Sequence, residues 1–278
     1  MQKVHELKNN YFCPMIFADT HTHLYLDAFE DDRSEAIQRA FDVGVKYLFV
    51  PNIDAQTAKS VLELAQQFPN QIFPMLALHP TSVKSDYLQQ ISEIEKVLHE
   101  HNNLVKGIGE TGIDLYWDKT FLKEQQESLE IHAQWAIKAK KPLIIHARES
   151  HKEIFEVLHS FKNQNLKGIF HCFSGDYQIA KQIVEMGFLM GIGGPLTYKK
   201  STLPDVVKQF RLEHFVLETD SPFLPPVPHR GKRNESSYIP LIASKMAEIF
   251  NTDIEAIAKI TTQNAITLFN IKDAFNYE

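Results

Sequence analysis

His21 and His23 stand one residue apart in IFADTHTHL, at the end of a short apolar run, and four later runs end in a similar way. VKGIGETG ends at Glu110, PLIIHARES carries His146, KGIFHCFSG carries His171 and FVLETDSPF carries Asp220. Imidazole nitrogens and carboxylate oxygens are the ordinary ligands of catalytic divalent ions. Taken singly, each residue has a mundane use. A histidine can be a hydrogen-bonded rim residue, Glu110 can cap the next helix, and Asp220 before Ser221-Pro222 can open a turn. Six such residues at the ends of successive runs would need six separate coincidences. The pattern predicts a metal site with His21, His23, Glu110, His146, His171 and Asp220 as ligands.

Six ligands exceed the three protein groups plus water typical of one catalytic zinc. They suit two ions roughly 3.5–4 Å apart, an arrangement that activates water and stabilises both attacking and leaving oxygens. Glu110 is the natural bridge, because a carboxylate has two oxygens whereas a histidine nitrogen binds one ion. The expected cofactors are two divalent metal ions. Imidazole suits Zn²⁺, Mn²⁺, Fe²⁺ or Co²⁺ better than Mg²⁺, but the mixed shell leaves Mg, Mn and Zn all open. Asp220 is read as both ligand and proton acceptor, which makes Asp220 and Glu110 the catalytic pair.

Four further residues are expected to meet the substrate. His79 follows the third run in LALHP and reads as a substrate or supporting group rather than a seventh ligand. Arg148, two residues beyond His146, carries a planar guanidinium that matches a phosphate, although it can also pair with Glu149 or Glu153 at a helix start. Ser174 beside Gly175 can offer a small loop to a phosphate oxygen or simply turn the chain. Arg233 in HRGKRN can reach over the site or remain a surface arginine. Most of the other histidines among the 13 read as helix or surface residues, including His132, which lies within a helix.

These residues need elements that bring them together. Eight apolar segments (16–19, 47–51, 72–78, 105–110, 143–146, 168–171, 188–192 and 215–218) alternate with eight amphipathic stretches. The runs are continuous rather than alternating, which marks strands covered on both faces and therefore a parallel sheet. Eight β-then-α units predict a (β/α)8 TIM-type barrel, whose strand ends all open on one face. DDRSEAIQRAFDVG, HKEIFEVLHSF and the final DIEAIAKITTQNAITLFN show helical spacing, and Gly44 is a stop signal. No Gly/Ser linker divides the 278 residues, so one domain is expected over 15–278, preceded by a short extension at 1–14.

Composition narrows the function classes. Two cysteines, Cys13 and Cys172, form neither a ligand cluster nor a disulfide framework, which fits a reducing cytoplasm. No apolar run approaches the ~20 residues of a membrane span, and MQKVHELKNNYFCP lacks the apolar core of a signal peptide. A net charge of −6 argues against a general basic coat for duplex DNA, but not against a local groove around a phosphate. No obligate protein partner is evident.

As a set, FADTHTHL, ALHP, GIGETGIDLYW, PLIIHARES, FHCFSG, LETDSPFL and RGKRNE resemble the TatD family of metal-dependent hydrolases, within the wider amidohydrolase-like barrels. The resemblance runs from about Ile16 to Phe269, with mild departures at Thr22, Leu78 and Ser236. It implies a barrel with two divalent ions at its C-terminal face and a deoxyribonuclease activity, often 3′→5′ exonuclease on single strands. It further implies that His21, His23 and Asp220 serve one ion, His146 and His171 the other, and Glu110 both, with His79 and Arg148 on the substrate phosphate. The alternative is ester or amide hydrolysis at the same centre, as in a D-aminoacyl-tRNA deacylase.

Overall fold

The computed structural model describes residues 15–272, so the expected extension at 1–14 lies outside the described residues. Strands and helices alternate along the chain: β1 Phe17–Asp19, α1 Arg33–Asp42, β2 Val45–Pro51, α2 Thr57–Gln67, β3 Ile72–Met75, α3 Tyr87–Glu100, β4 Ile108–Asp114 and α4 Leu122–Ala139. The second half continues with β5 Leu143–Arg148, α5 His151–His159, β6 Gly168–Phe170, α6 Tyr177–Glu185, β7 Leu189–Ile192, α7 Leu203–Val207, β8 Phe215–Leu217, α8 Ile239–Phe250 and α9 Ile254–Phe269. Neighbouring strands pair in parallel, as β1-β2-β3 and as β4-β5-β6-β7-β8. Backbone hydrogen bonds join the two sheets at both edges. Lys106 N donates to Pro74 O (2.8 Å) and Leu76 N to Gly107 O (3.2 Å) at one seam; Thr20 N donates to Leu217 O (3.0 Å) and Asp220 N to His21 O (2.9 Å) at the other. The ring closes as the expected (β/α)8 barrel.

Local chemistry explains the punctuation. Asp253 accepts from Ala256 N (2.6 Å) and Asp176 from Ile179 N (2.9 Å), capping α9 and α6. Gly44 follows α1 at φ +92°, and a Cβ there would come within 2.3 Å of Met15 O. One apolar layer lies between strands and helices, and a second fills the barrel interior with Ile16, Tyr47, Phe49, Phe73, Met75, Ile144, Ile169 and Val216. Helix α9 lays Ala265, Ile266 and Phe269 across the floor of that interior, with Phe269 stacked on Phe49 at 3.8 Å. Each such apolar side chain contributes roughly 1.5–3 kcal/mol when fully buried. The floor is therefore apolar and sealed, and the polar chemistry gathers at the opposite mouth.

All eight strands lie where the apolar runs indicate, with one instructive displacement. The fourth strand runs from Ile108 to Asp114 rather than ending at Glu110. Its ladder with β5 continues past the apolar run, pairing Gly112 with His146 and Asp114 with Arg148. Backbone pairing prolongs the strand through buried polar residues, so Glu110 points from within a strand. Among the described residues no helix is long and apolar enough to cross a membrane.

Candidate metal centre

Strands β4 and β5 carry Glu110 and His146, and the segments just beyond β1, β6 and β8 carry the other expected ligands to the same cluster. The two oxygens of Glu110 divide it. On one side Oε2 lies 3.0 Å from His21 Nε2 and 3.7 Å from His23 Nε2. Asp220 Oδ1 completes this group at 3.8 Å from His21 Nε2 and 3.5 Å from His23 Nε2. On the other side Oε1 lies 2.7 Å from His171 Nε2, 2.8 Å from His146 Nδ1 and 3.2 Å from His79 Nε2. Asp220 adopts φ +56°, a left-handed conformation that an aspartate tolerates better than most residues and that turns the chain at the mouth.

The donor set fits two divalent ions. Ligands about 2.0–2.2 Å from a tetrahedral ion lie about 3.4 Å from one another. His21 Nε2 and His23 Nε2 are 3.2 Å apart, and His171 Nε2 and His146 Nδ1 are 3.4 Å apart. Three groups of His, Asp and Glu, namely His21–His23–Asp220, His21–Glu110–His171 and His79–Glu110–His146, each hold their ligand atoms within 4.8 Å. Buried carboxylates ringed by imidazoles also demand positive charge at the centre. Burial opposes ionisation of Glu110, yet His171, His79, His21 and His146 outweigh it and hold the carboxyl well below the usual range. Burial likewise acts against charged Asp220, and the surrounding histidines overcome it.

Three supporting carboxylates were not singled out from the sequence. Asp114 Oδ2 lies 2.9 Å from His146 Nε2, so that ring donates to a carboxylate and turns Nδ1 inward. Glu218, fully buried, accepts from Cys172 N (2.5 Å) and lies 3.5 Å from His171 Nδ1. Gly191 makes room for it, because a Cβ there would meet Glu218 Oε2 at 2.1 Å. Asp19 accepts from Thr219 N (2.9 Å), Thr219 Oγ1 (2.6 Å) and His21 N (3.3 Å), tying the β1 and β8 ends together. Burial pushes its carboxyl up to about 7, against those hydrogen bonds. A usable signal existed for all three. Asp19 precedes His21 by two residues, Glu218 precedes Asp220 by two and Asp114 follows Glu110 by four, spacings that keep one face of an extended chain.

The expected substrate contacts separate. His79 joins the cluster, and its tautomer is set: Nδ1 accepts from Thr81 N (3.2 Å), so Nε2 carries the hydrogen and donates to Glu110. Burial lowers its pKa despite Glu110, which keeps the ring a neutral donor. Arg148 is exposed at the end of β5, with its guanidinium 4.0 Å from the Tyr116 ring centre. Ser174 is exposed in the loop after His171. Arg233 is committed elsewhere: it donates to Asp32 Oδ1 (2.6 Å), Asp32 Oδ2 (2.8 Å), Glu235 Oε1 (2.8 Å) and Ala28 O (2.8 Å). That geometry is a clamp between the turn after β1 and the loop after β8. Cys172 is a free thiol, and Cys13 lies outside the described residues.

A parallel barrel whose mouth carries five histidines, a bisecting glutamate and an aspartate defines a metal-dependent hydrolase of the amidohydrolase-like type. The family model described as TatD related DNase matches residues 18–270, and the chain belongs to the TatD family. It is 35% identical over 258 residues to the uncharacterized metal-dependent hydrolase YabD of Bacillus subtilis, covering 92% of this chain and 100% of that one. Its structure is similar to the crystal structure of YJJV, a TatD homolog from Escherichia coli, with a TM-score of 0.86, 29% identity, and 91% of this chain and 98% of the other covered. The TatD family protein of Entamoeba histolytica, at 22% identity and a TM-score of 0.79, shares the fold.

Proposed function

We propose that the protein is a deoxyribonuclease that removes nucleotides 3′→5′ from single-stranded DNA ends in the cytoplasm. The observation that carries the reading is the division of Glu110, one oxygen facing His21 and His23 and the other facing His146 and His171, beside an exposed Arg148. Two divalent ions held there would supply Lewis-acid chemistry, acidifying a water and neutralising phosphoryl charge. The description of the matching family as a DNase supports a phosphodiester as the bond.

The chain's own residues then have distinct tasks. Asp220, with 15% of its side chain exposed against 3% for Glu110, is the carboxylate that both faces the cluster and reaches solvent. It accepts the proton of the attacking water and can release it outward. His79 Nε2–H, neutral and aimed into the cluster, exchanges its hydrogen bond with Glu110 for one to an oxygen of the scissile phosphate when substrate is bound. Arg148 and Ser174, at the rim, contact the phosphate from the solvent side.

A matrix of Mg²⁺, Mn²⁺ and Zn²⁺ against 3′-labelled single-stranded DNA, duplex DNA and D-aminoacyl-tRNA tests the reading. Shortening of the single strand from its 3′ end, abolished in Asp220→Asn with the fold intact by circular dichroism, is the expected result. Release of D-amino acid with no DNA shortening under any metal would overturn it.

A further inference from the structure

Trp117 and Tyr116 are 69% and 52% exposed, unusual positions for large aromatic rings, and they stand at the mouth that holds the metal ligands. They are nevertheless fixed. Tyr116 N (3.0 Å) and Trp117 N (3.1 Å) both donate to Asp114 Oδ1, while Asp114 Oδ2 holds His146 at 2.9 Å. One carboxylate thus orients a ligand with one oxygen and the aromatic turn with the other. The two rings meet edge to face at 4.9 Å. The Arg148 guanidinium lies 4.0 Å from the Tyr116 ring centre and 5.4 Å from that of Trp117, and Arg148 is two residues beyond His146.

We propose that Tyr116, Trp117 and Arg148 form a stacking platform for an unpaired nucleobase of single-stranded DNA, and so set the preference for single strands. The proposal rests on the nuclease reading and adds a specificity site to it. Aromatic faces accept any base, and only an unpaired base offers its own face, so the platform is sequence-tolerant and strand-selective. A guanidinium that stacks by its face keeps its N–H edge for the adjacent phosphate. A chain of net charge −6 has little general attraction for DNA, so local contacts must supply the affinity. Rigid attachment to Asp114 fixes the distance from the stacked base to His146.

Oligo-dT and an abasic tetrahydrofuran-phosphate oligomer of equal length, titrated into chelator-treated protein, read the platform without cleavage. Trp117 fluorescence is expected to be quenched by oligo-dT and not by the abasic strand. Trp135, half-buried on α4 against His132, supplies a constant background. Trp117→Ala, and separately Tyr116→Ala, should weaken oligo-dT binding at least about fivefold by fluorescence anisotropy. The kcat/KM ratio of oligo-dT over abasic strand should fall by a similar factor. Both rings are exposed, so these variants keep the core. Equal affinity of the wild type for both oligomers, or an unchanged ratio in the variants, would overturn the platform. Quenching by oligo-dT without hydrolysis of any strand under any metal would instead count against the nuclease reading and leave the platform standing.

Discussion

Acidification should destabilise the protein through His132 by an amount the structure allows to be worked out. The ring is fully buried; Nδ1–H donates to Ser128 O (2.6 Å) and Nε2 accepts from Leu78 N–H (3.2 Å). A proton on Nε2 would face that N–H, so the ring folds neutral. Burial, only partly offset by the Ser128 carbonyl, pushes its pKa down to about 4. In the unfolded chain a histidine titrates near 6.5. Between the two values the unfolded state binds more protons, so this contribution is complete above about pH 6.5 and lost progressively toward pH 4. Those figures give a loss of about 2 kcal/mol between pH 7 and pH 5. Urea unfolding of wild type and His132→Gln at both pH values, with chelator present, isolates the effect. Glutamine keeps an amide in the same helix position but does not titrate. The wild type should lose about 2 kcal/mol more than the variant over this interval. Equal losses would refute the tautomer assignment.

Three other outcomes follow from the same geometry. Asp114→Asn should lower the affinity for divalent metal roughly 10–100-fold, read by calorimetry, because His146 loses its charged orienting partner; wild-type affinity would show that the contact is incidental. Chelation should lower Tm, and re-addition of ion at one hundred times its Kd should restore about 2.7 kcal/mol per site; a Tm indifferent to metal would contradict the fit of the cluster. Arg233→Ala should lower Tm with metal content unchanged, as the clamp to Asp32 and Glu235 is lost. A raised KM for DNA at constant Tm would instead make Arg233 a substrate contact.

The clustering of the six candidate ligands was legible because a histidine or carboxylate at the end of a buried apolar run has few structural uses, and six repeat the pattern. The barrel followed from eight such runs. What remained hidden depends on partners remote in sequence. Arg233 reads as a free cation until Asp32, 201 residues away, is seen to grip it. His132 reads as an ordinary helix residue because Leu78, whose N–H fixes its tautomer, is 54 residues away. Asp114 and Glu218 sit close to a ligand, where a carboxylate passes for a turn or a cap. The end of β4 was misplaced because hydrophobicity marks burial in apolar surroundings, whereas Glu110, Thr111 and Asp114 are buried among polar groups.

The floor laid by α9 has a consequence for how the chain is made. Thr262 Oγ1 donates to Ile16 O across 246 residues, and Phe269 covers Phe49. At ribosomal rates of about 5–20 residues per second, the first strand waits roughly 10–50 s for the helix that seals it. Throughout that interval Tyr47, Phe49 and Phe73 lack their cover, and the edge of β1 lacks its neighbour until β8 is made, shortly before α9. A message truncated before α9 would yield a product recognisable to chaperones and proteases by its open base, even with all six candidate metal ligands already translated.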